Sequence, residues 1–101
     1  MFSGGTYREV ARWLRNFLTA HAKRVDPRIE VALEDDRERE GKSYGARLQF
    51  GTRVSAHIEL DFRDVAANRG SLAWCAALAE RTRQLASELG VDQGVADARR
   101  P

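Results

Sequence analysis

His57, Glu59 and Asp61 alternate with Ile58 and Leu60 along one short stretch of the chain. In an extended strand they share a face, roughly 6.5–7 Å apart at the backbone, so a histidine and two carboxylates could converge on a divalent metal. A metal centre takes three or four convergent ligands, and the neighbouring strand adds only Glu30 and Glu34. The same residues also make a solvated face of alternating charge with Arg47 beside His57, and that reading is adopted. No metal and no cofactor is expected. His21 falls within an apolar helical series, which makes it a partly buried core residue rather than a ligand.

Cys75 stands near the start of a second helix, where the dipole lowers a thiol pKa. Its position on that helix's apolar stripe makes it a small core residue. As the single cysteine it excludes an internal disulfide and a CxxC zinc site, and it fits a reducing, cytoplasmic setting. No serine lies in a G-x-S-x-G elbow, and no GxGxxG or GxxxxGK[ST] loop occurs. The acidic run Asp35, Asp36, Glu38 and Glu40 is interrupted by Arg37, Arg39 and Lys42 and lacks the EF-hand pattern. An enzyme is not expected.

Arg8, Arg12, Arg15 and Lys23 form a basic row along the first helix, at spacings that put the three arginines on one face, able to track phosphates. The first 24 residues hold five basic side chains against one acidic, although the whole chain carries a net charge of only +2. With Arg47, Arg53, His57 and Glu59 of the polar strand face, these are the candidate partner-binding residues.

These side chains must be positioned by a chain of 101 residues, 43% hydrophobic and 32% charged. That is enough for one core and too apolar for disorder. No apolar run approaches the roughly 20 residues of a membrane span, and Met1 to Gly5 lacks the parts of a signal peptide. The expected layout is a single domain over 1–90 and a frayed tail over 91–101.

Thr6-Tyr7-Arg8-Glu9 has the form of a capping box. Val10, Trp13, Leu14, Phe17, Leu18 and His21 follow at helical spacing, extended by Tyr7 and Val25, and Asp26-Pro27 ends the helix. From Arg28 the period becomes two. Ile29, Val31 and Leu33 point inward on a first strand, and Tyr44, Ala46, Leu48 and Phe50 on a second. Val54, Ala56, Ile58, Leu60 and Phe62 do so on a long third.

Facing side chains must share a face, so a three-residue loop Gly51-Thr52-Arg53 is expected, setting Phe50 opposite Val54, Leu48 opposite Ala56, Arg47 opposite His57 and Ala46 opposite Ile58. The first hairpin accepts a two-residue loop at Glu40-Gly41, with Leu33 opposite Leu48. Residues 63–70 read as a connector with helix starts at Asp64, Asn68 or Ser71. A second helix follows over 71–89, burying Leu72, Cys75, Leu78, Ala79, Thr82, Leu85, Ala86 and Leu89, with Gly90 as its C-cap.

The fold class is therefore α+β, in the order α-β-β-β-α: a three-stranded antiparallel meander with two helices on one face. That order resembles double-stranded-RNA-binding domains in topology. The start of the second helix, Ser71-Leu72-Ala73-Trp74, lacks their lysines, and Glu40-Gly41-Lys42-Ser43 lacks their Gly-Pro-x-His pattern. The function expected is a small interaction module that self-associates as a homodimer through the long third strand, or binds another protein. Nucleic-acid binding through the basic face of the first helix is the alternative, and no membrane partner is expected.

Overall fold

The structure, a computed structural model, describes residues 5–98, with side chains described as far as Leu89. Helix α1 (Tyr7–Val25) begins as expected. Thr6 is extended, its hydroxyl accepts from the Glu9 N–H, and the Glu9 carboxylate accepts from the Thr6 N–H at 2.9 Å. The helix buries Tyr7, Val10, Ala11, Leu14, Leu18 and Ala22. Trp13, Phe17 and His21 lie half-exposed beside that stripe, and Val25 is exposed.

Strands β1 (Glu30–Glu34) and β2 (Ser43–Phe50) pair antiparallel with Val31 opposite Leu48 and Leu33 opposite Ala46. The inward face is the expected one, but the register is displaced by two residues, because the connection is not a two-residue turn at Glu40-Gly41. Residues 35–42 fold on themselves: the Arg39 N–H bonds the Asp36 carbonyl, and the N–H groups of Lys42 and Ser43 both bond the Arg39 carbonyl. Gly41, at φ +76°, takes the left-handed conformation that this loop requires.

The expected third strand is two. β3 (Arg53–Val54) follows a two-residue turn with Phe50 opposite Arg53, made by Gly51 at φ +65°. β4 (Ile58–Asp61) pairs with β2 one residue out of step with β3 and in the expected register, with Ala46 opposite Ile58 and Tyr44 opposite Leu60. Residues 55–57 absorb the extra residue. The Ser55 N–H bonds the Leu48 carbonyl at 2.8 Å, but the Leu48 N–H turns to the Ser55 hydroxyl at 2.9 Å. That hydroxyl donates to the Ala56 carbonyl at 2.9 Å.

So the tight turn and the parity of the core coexist, reconciled by a side chain inserted into the ladder. Val54 and Ala56, expected inward, are exposed. Arg53, expected on the polar face, shares the inward side with Phe50 and borders a groove lined by Leu85, Glu88 and Leu89.

Asp61 ends β4 and caps a further helix, α2 (Phe62–Asn68), accepting from the Asp64 N–H at 3.1 Å. Phe62 is thus a helical residue, packed edge-on against Tyr7 and Tyr44. Ser71 then accepts from the Trp74 N–H at the start of α3 (Leu72–Ala98). This helix passes through Gly90, which does not cap it, and continues to Ala98. The end of the expected tail, 99–101, lies outside the described residues.

Helices α1 and α3 pack side by side on one face of the sheet. Val10, Leu14 and Leu18 meet Tyr44, Ala46, Ile58, Val65 and Leu78; a second cluster joins Ala22, Ile29, Leu48, Ala86 and Leu89. Tyr7 and Tyr44 stack at 4.5 Å, and the Tyr44 hydroxyl donates to the Tyr7 carbonyl at 2.7 Å. The Tyr7 hydroxyl donates to the Ser43 carbonyl, so the first turn of α1 is bolted to β2 at two points. Leu72, expected in the buried stripe, is 88% exposed.

Candidate interaction surfaces

On the polar side of the sheet, Glu34, Gly45 and Glu59 stand abreast across β1, β2 and β4. Gly45 has no side chain, and the space above it is taken by Arg39 from the hairpin tip and His57 from the strand break. A Cβ there would collide with His57 Nε2 and sit 2.9 Å from Arg39 Nη2. Arg39 grips Glu59 through both guanidinium nitrogens, at 2.9 and 2.7 Å, and lies 3.4 Å from Glu34. Arg47 holds the other oxygen of Glu34 at 2.9 Å, and His57 Nε2 lies 3.8 and 3.5 Å from the two carboxylates.

The hydrogen bond from Arg39 keeps the Glu59 carboxyl below its usual range, and the same bond raises the guanidinium. Two carboxylates thus face two guanidiniums, a network closed on itself. Among the described residues, no group of three or more histidines, cysteines or acids is arranged to hold a metal ion. Asp61 does not converge with His57 and Glu59, because its carboxylate caps α2. Arg39, read from the sequence only as an interruption of the acidic run, organises this face together with Glu34. The signal in the sequence was Gly45, since a glycine inside a strand marks the close approach of another group.

The basic row resolves into three residues. Arg8, Arg12 and Arg15 are exposed and make no hydrogen bond or ion pair to a described residue. Lys23 instead donates to the Pro27 carbonyl at 2.8 Å and approaches Glu30 at 3.5 Å. Arg8 borders a recess shared with Asp35, Asp36 and Glu40, so the row ends against acidic side chains.

A third surface runs along the outer seam of α1 and α3. Trp13 stacks on Phe17 at 5.0 Å, Phe17 meets His21 at 4.6 Å, and Trp74 lies 6.5 Å from Trp13. Beside them a groove of about 310 Å³ is lined by Phe17, His21, Leu72, Cys75, Ala76, Ala79 and Arg83. Burial, then Arg24 and Arg83, lower the His21 pKa, so the ring is neutral near pH 7. The Cys75 thiol is half-buried, with Sγ 3.4 Å from the Arg69 carbonyl. Trp13 and Phe17 pack against the core as partly buried side chains, as their spacing implies, whereas Leu72, expected in the buried stripe, is exposed. Helical spacing tells which side a residue is on, not how far the neighbouring helix reaches.

Comparison of the chain with known protein families, with curated proteins and with solved structures finds no match. No helix among the described residues is long and apolar enough to cross a membrane.

Proposed function

We propose that this domain is a small non-enzymatic interaction module that binds a second copy of itself, in the cytoplasm. The observation that carries the reading is the run from Leu72 to Ala79, LAWCAALA, eight apolar residues that surround two turns of α3. A helix apolar on all sides is ordinarily covered on all sides. Here Leu78 and Ala79 are buried, while Leu72, Ala73, Ala76 and Ala77 face solvent. Exposed apolar surface of this kind marks protein contacts. The broken third strand moves the weight from the sheet edge to the helices, since an edge of two and four residues offers little to pair with. The non-enzymatic part is supported by the closure of the Glu34–His57–Glu59 cluster by Arg39 and Arg47. Size-exclusion chromatography with light scattering tests self-association: a dimer mass at micromolar concentration is expected, and a strict monomer at high micromolar concentration refutes it.

A second reading, nucleic-acid binding along α1, is favoured by Arg8, Arg12 and Arg15, which make no hydrogen bond or ion pair to a described residue. The three span about 10 Å of helix, a length that reaches successive phosphates. It requires affinity for a short RNA or DNA duplex that falls with salt and weakens in the triple glutamine variant. Affinity unchanged by that variant removes it.

A further inference from the structure

We propose that the open edge of β1 takes an acidic, extended segment of another protein as an added antiparallel strand, its carboxylates directed to Arg12 and Arg15 of α1. The site lies away from the α3 surface invoked for self-association and does not rest on that reading.

β1 is an end strand of the sheet, five residues long and unbroken, paired with β2 on one side only. Which of its backbone groups are open follows from β2. Leu48 turns its N–H and its carbonyl to Ser55, on the far side of that strand. Leu48 and the residue opposite it, Val31, are therefore a pair without mutual hydrogen bonds, and Val31 turns its own N–H and carbonyl to the open edge. Two residues on, Leu33 does the same. Among the described residues no hydrogen bond reaches these four groups. Such an unpaired row is a ready template for a further strand.

Helix α1 packs on β1 and runs antiparallel to it. Lys23 approaches Glu30 at one end, and Arg8 borders the recess of Asp35 and Asp36 at the other. Arg12 and Arg15 lie between these ends. Trp13 and Phe17 mark the side of α1 turned to α3. At about 100° per residue the three arginines stand roughly half a turn from Phe17, on the flank beside β1.

On an added strand, the residues opposite Val31 and Leu33 share their face and point toward α1. There they meet guanidiniums that make no ion pair to a described residue, so carboxylates are favoured at alternate positions. The other face is bordered by Glu30, Ala32 and Glu34, which favour small uncharged side chains. A second copy of β1 does not meet these demands, since it would bring Val31 and Leu33 to the arginines. A nucleic-acid duplex leaves the open backbone groups unused and would set phosphates near Glu30, Asp35 and Asp36.

The test uses the full chain and a fluorescein-labelled eight-residue peptide alternating glutamate and threonine, read by anisotropy. Saturable binding is expected. Arg12→Gln with Arg15→Gln changes exposed positions, so the wild-type melt is retained while affinity falls about tenfold, as for the loss of two exposed ion pairs. Methylating the backbone nitrogens of the glutamates removes the donors that face β1 and is expected to abolish binding. Methylating those of the threonines, which face water, is expected to spare it. Hydrogen exchange at the Val31 and Leu33 amides is expected to slow severalfold on saturation. A peptide that fails to bind overturns the proposal. Equal binding of the two methylated peptides, or of a block peptide of the same composition, shows attraction of charge alone and overturns the added strand. A short RNA or DNA duplex that binds more tightly than the peptide, with both amides exchanging as before, assigns the arginines to nucleic acid and overturns it too.

Discussion

Replacing Ser55 by alanine removes one oxygen and tests the central feature of the sheet. Leu48 lies in the middle of β2, 1% exposed, and its N–H has the Ser55 hydroxyl at 2.9 Å as acceptor. Without that oxygen, the strand break leaves no backbone carbonyl in its place. A buried donor left unpaired costs about 1–3 kcal/mol. Ser55 is itself only half-buried, so water can partly reach the vacated position, and the lower part of that range applies, about 1–2 kcal/mol. For a domain of this size, that loss lowers Tm by roughly 5–15 °C. Ser55→Thr keeps the acceptor and is expected to stay within about 0.5 kcal/mol of the wild type. Urea and thermal unfolding followed by circular dichroism give both values, and hydrogen exchange at the Leu48 amide gives the local effect. If Ser55→Ala and Ser55→Thr prove equally stable, with Leu48 exchange unchanged, the hydroxyl is not the reason the ladder breaks where it does.

Two further expectations concern pH. Burial pushes the Tyr7 phenol up to about 12 and raises that of Tyr44 as well. Both hydroxyls ionise near 10 in an unfolded chain, so stability is full below about pH 10 and is lost as pH rises through the folded values. The chain has only these two tyrosines, so phenolate absorbance should rise in one step together with loss of the dichroism signal. Titration of either tyrosine near pH 10 with the fold intact would contradict the buried pair. Asp26 behaves in the opposite sense: hydrogen bonds from the Arg28 side chain and N–H hold its carboxyl at about 2. Its contribution is present above its unfolded value, about 3.9, and is lost as pH falls toward 2. The wild type should therefore lose stability more steeply than Asp26→Asn between about pH 4 and pH 2, and parallel acid limbs would refute the pairing.

Much of the architecture was legible because it follows from periodicity and local chemistry. Thr6 and Glu9 announce the start of α1, and the alternation from Ile29 to Leu60 fixes which face of the sheet is dry at nearly every position. Registers were harder. Parity excluded one-residue slips but not the two-residue displacement of Leu33 from Leu48 to Ala46, because both choices keep the same face inward. At Gly51-Thr52 parity was applied as though the ladder were regular, and the remedy, a serine side chain standing in for a backbone acceptor, leaves no periodic trace. Asp61 fits the alternation equally as an outward strand residue and as the cap of α2, so the helix behind it was hidden. Leu72 shows the limit for the surfaces: it lies on the same side of α3 as the buried Ala79, yet it is exposed, because spacing gives the side of a helix and not the reach of its neighbours.

The one-residue offset between β3 and β4 has a consequence for how the chain reaches its fold. The turn at Gly51-Thr52 is local and can close within microseconds, before distant parts of the chain have met. Were its pairing simply zipped onward, Ile58 would be turned to water and His57 and Glu59 driven against the helices, an off-pathway trap. Ser55 stops that propagation after two rungs, so the remaining pairs form only once the interior selects them.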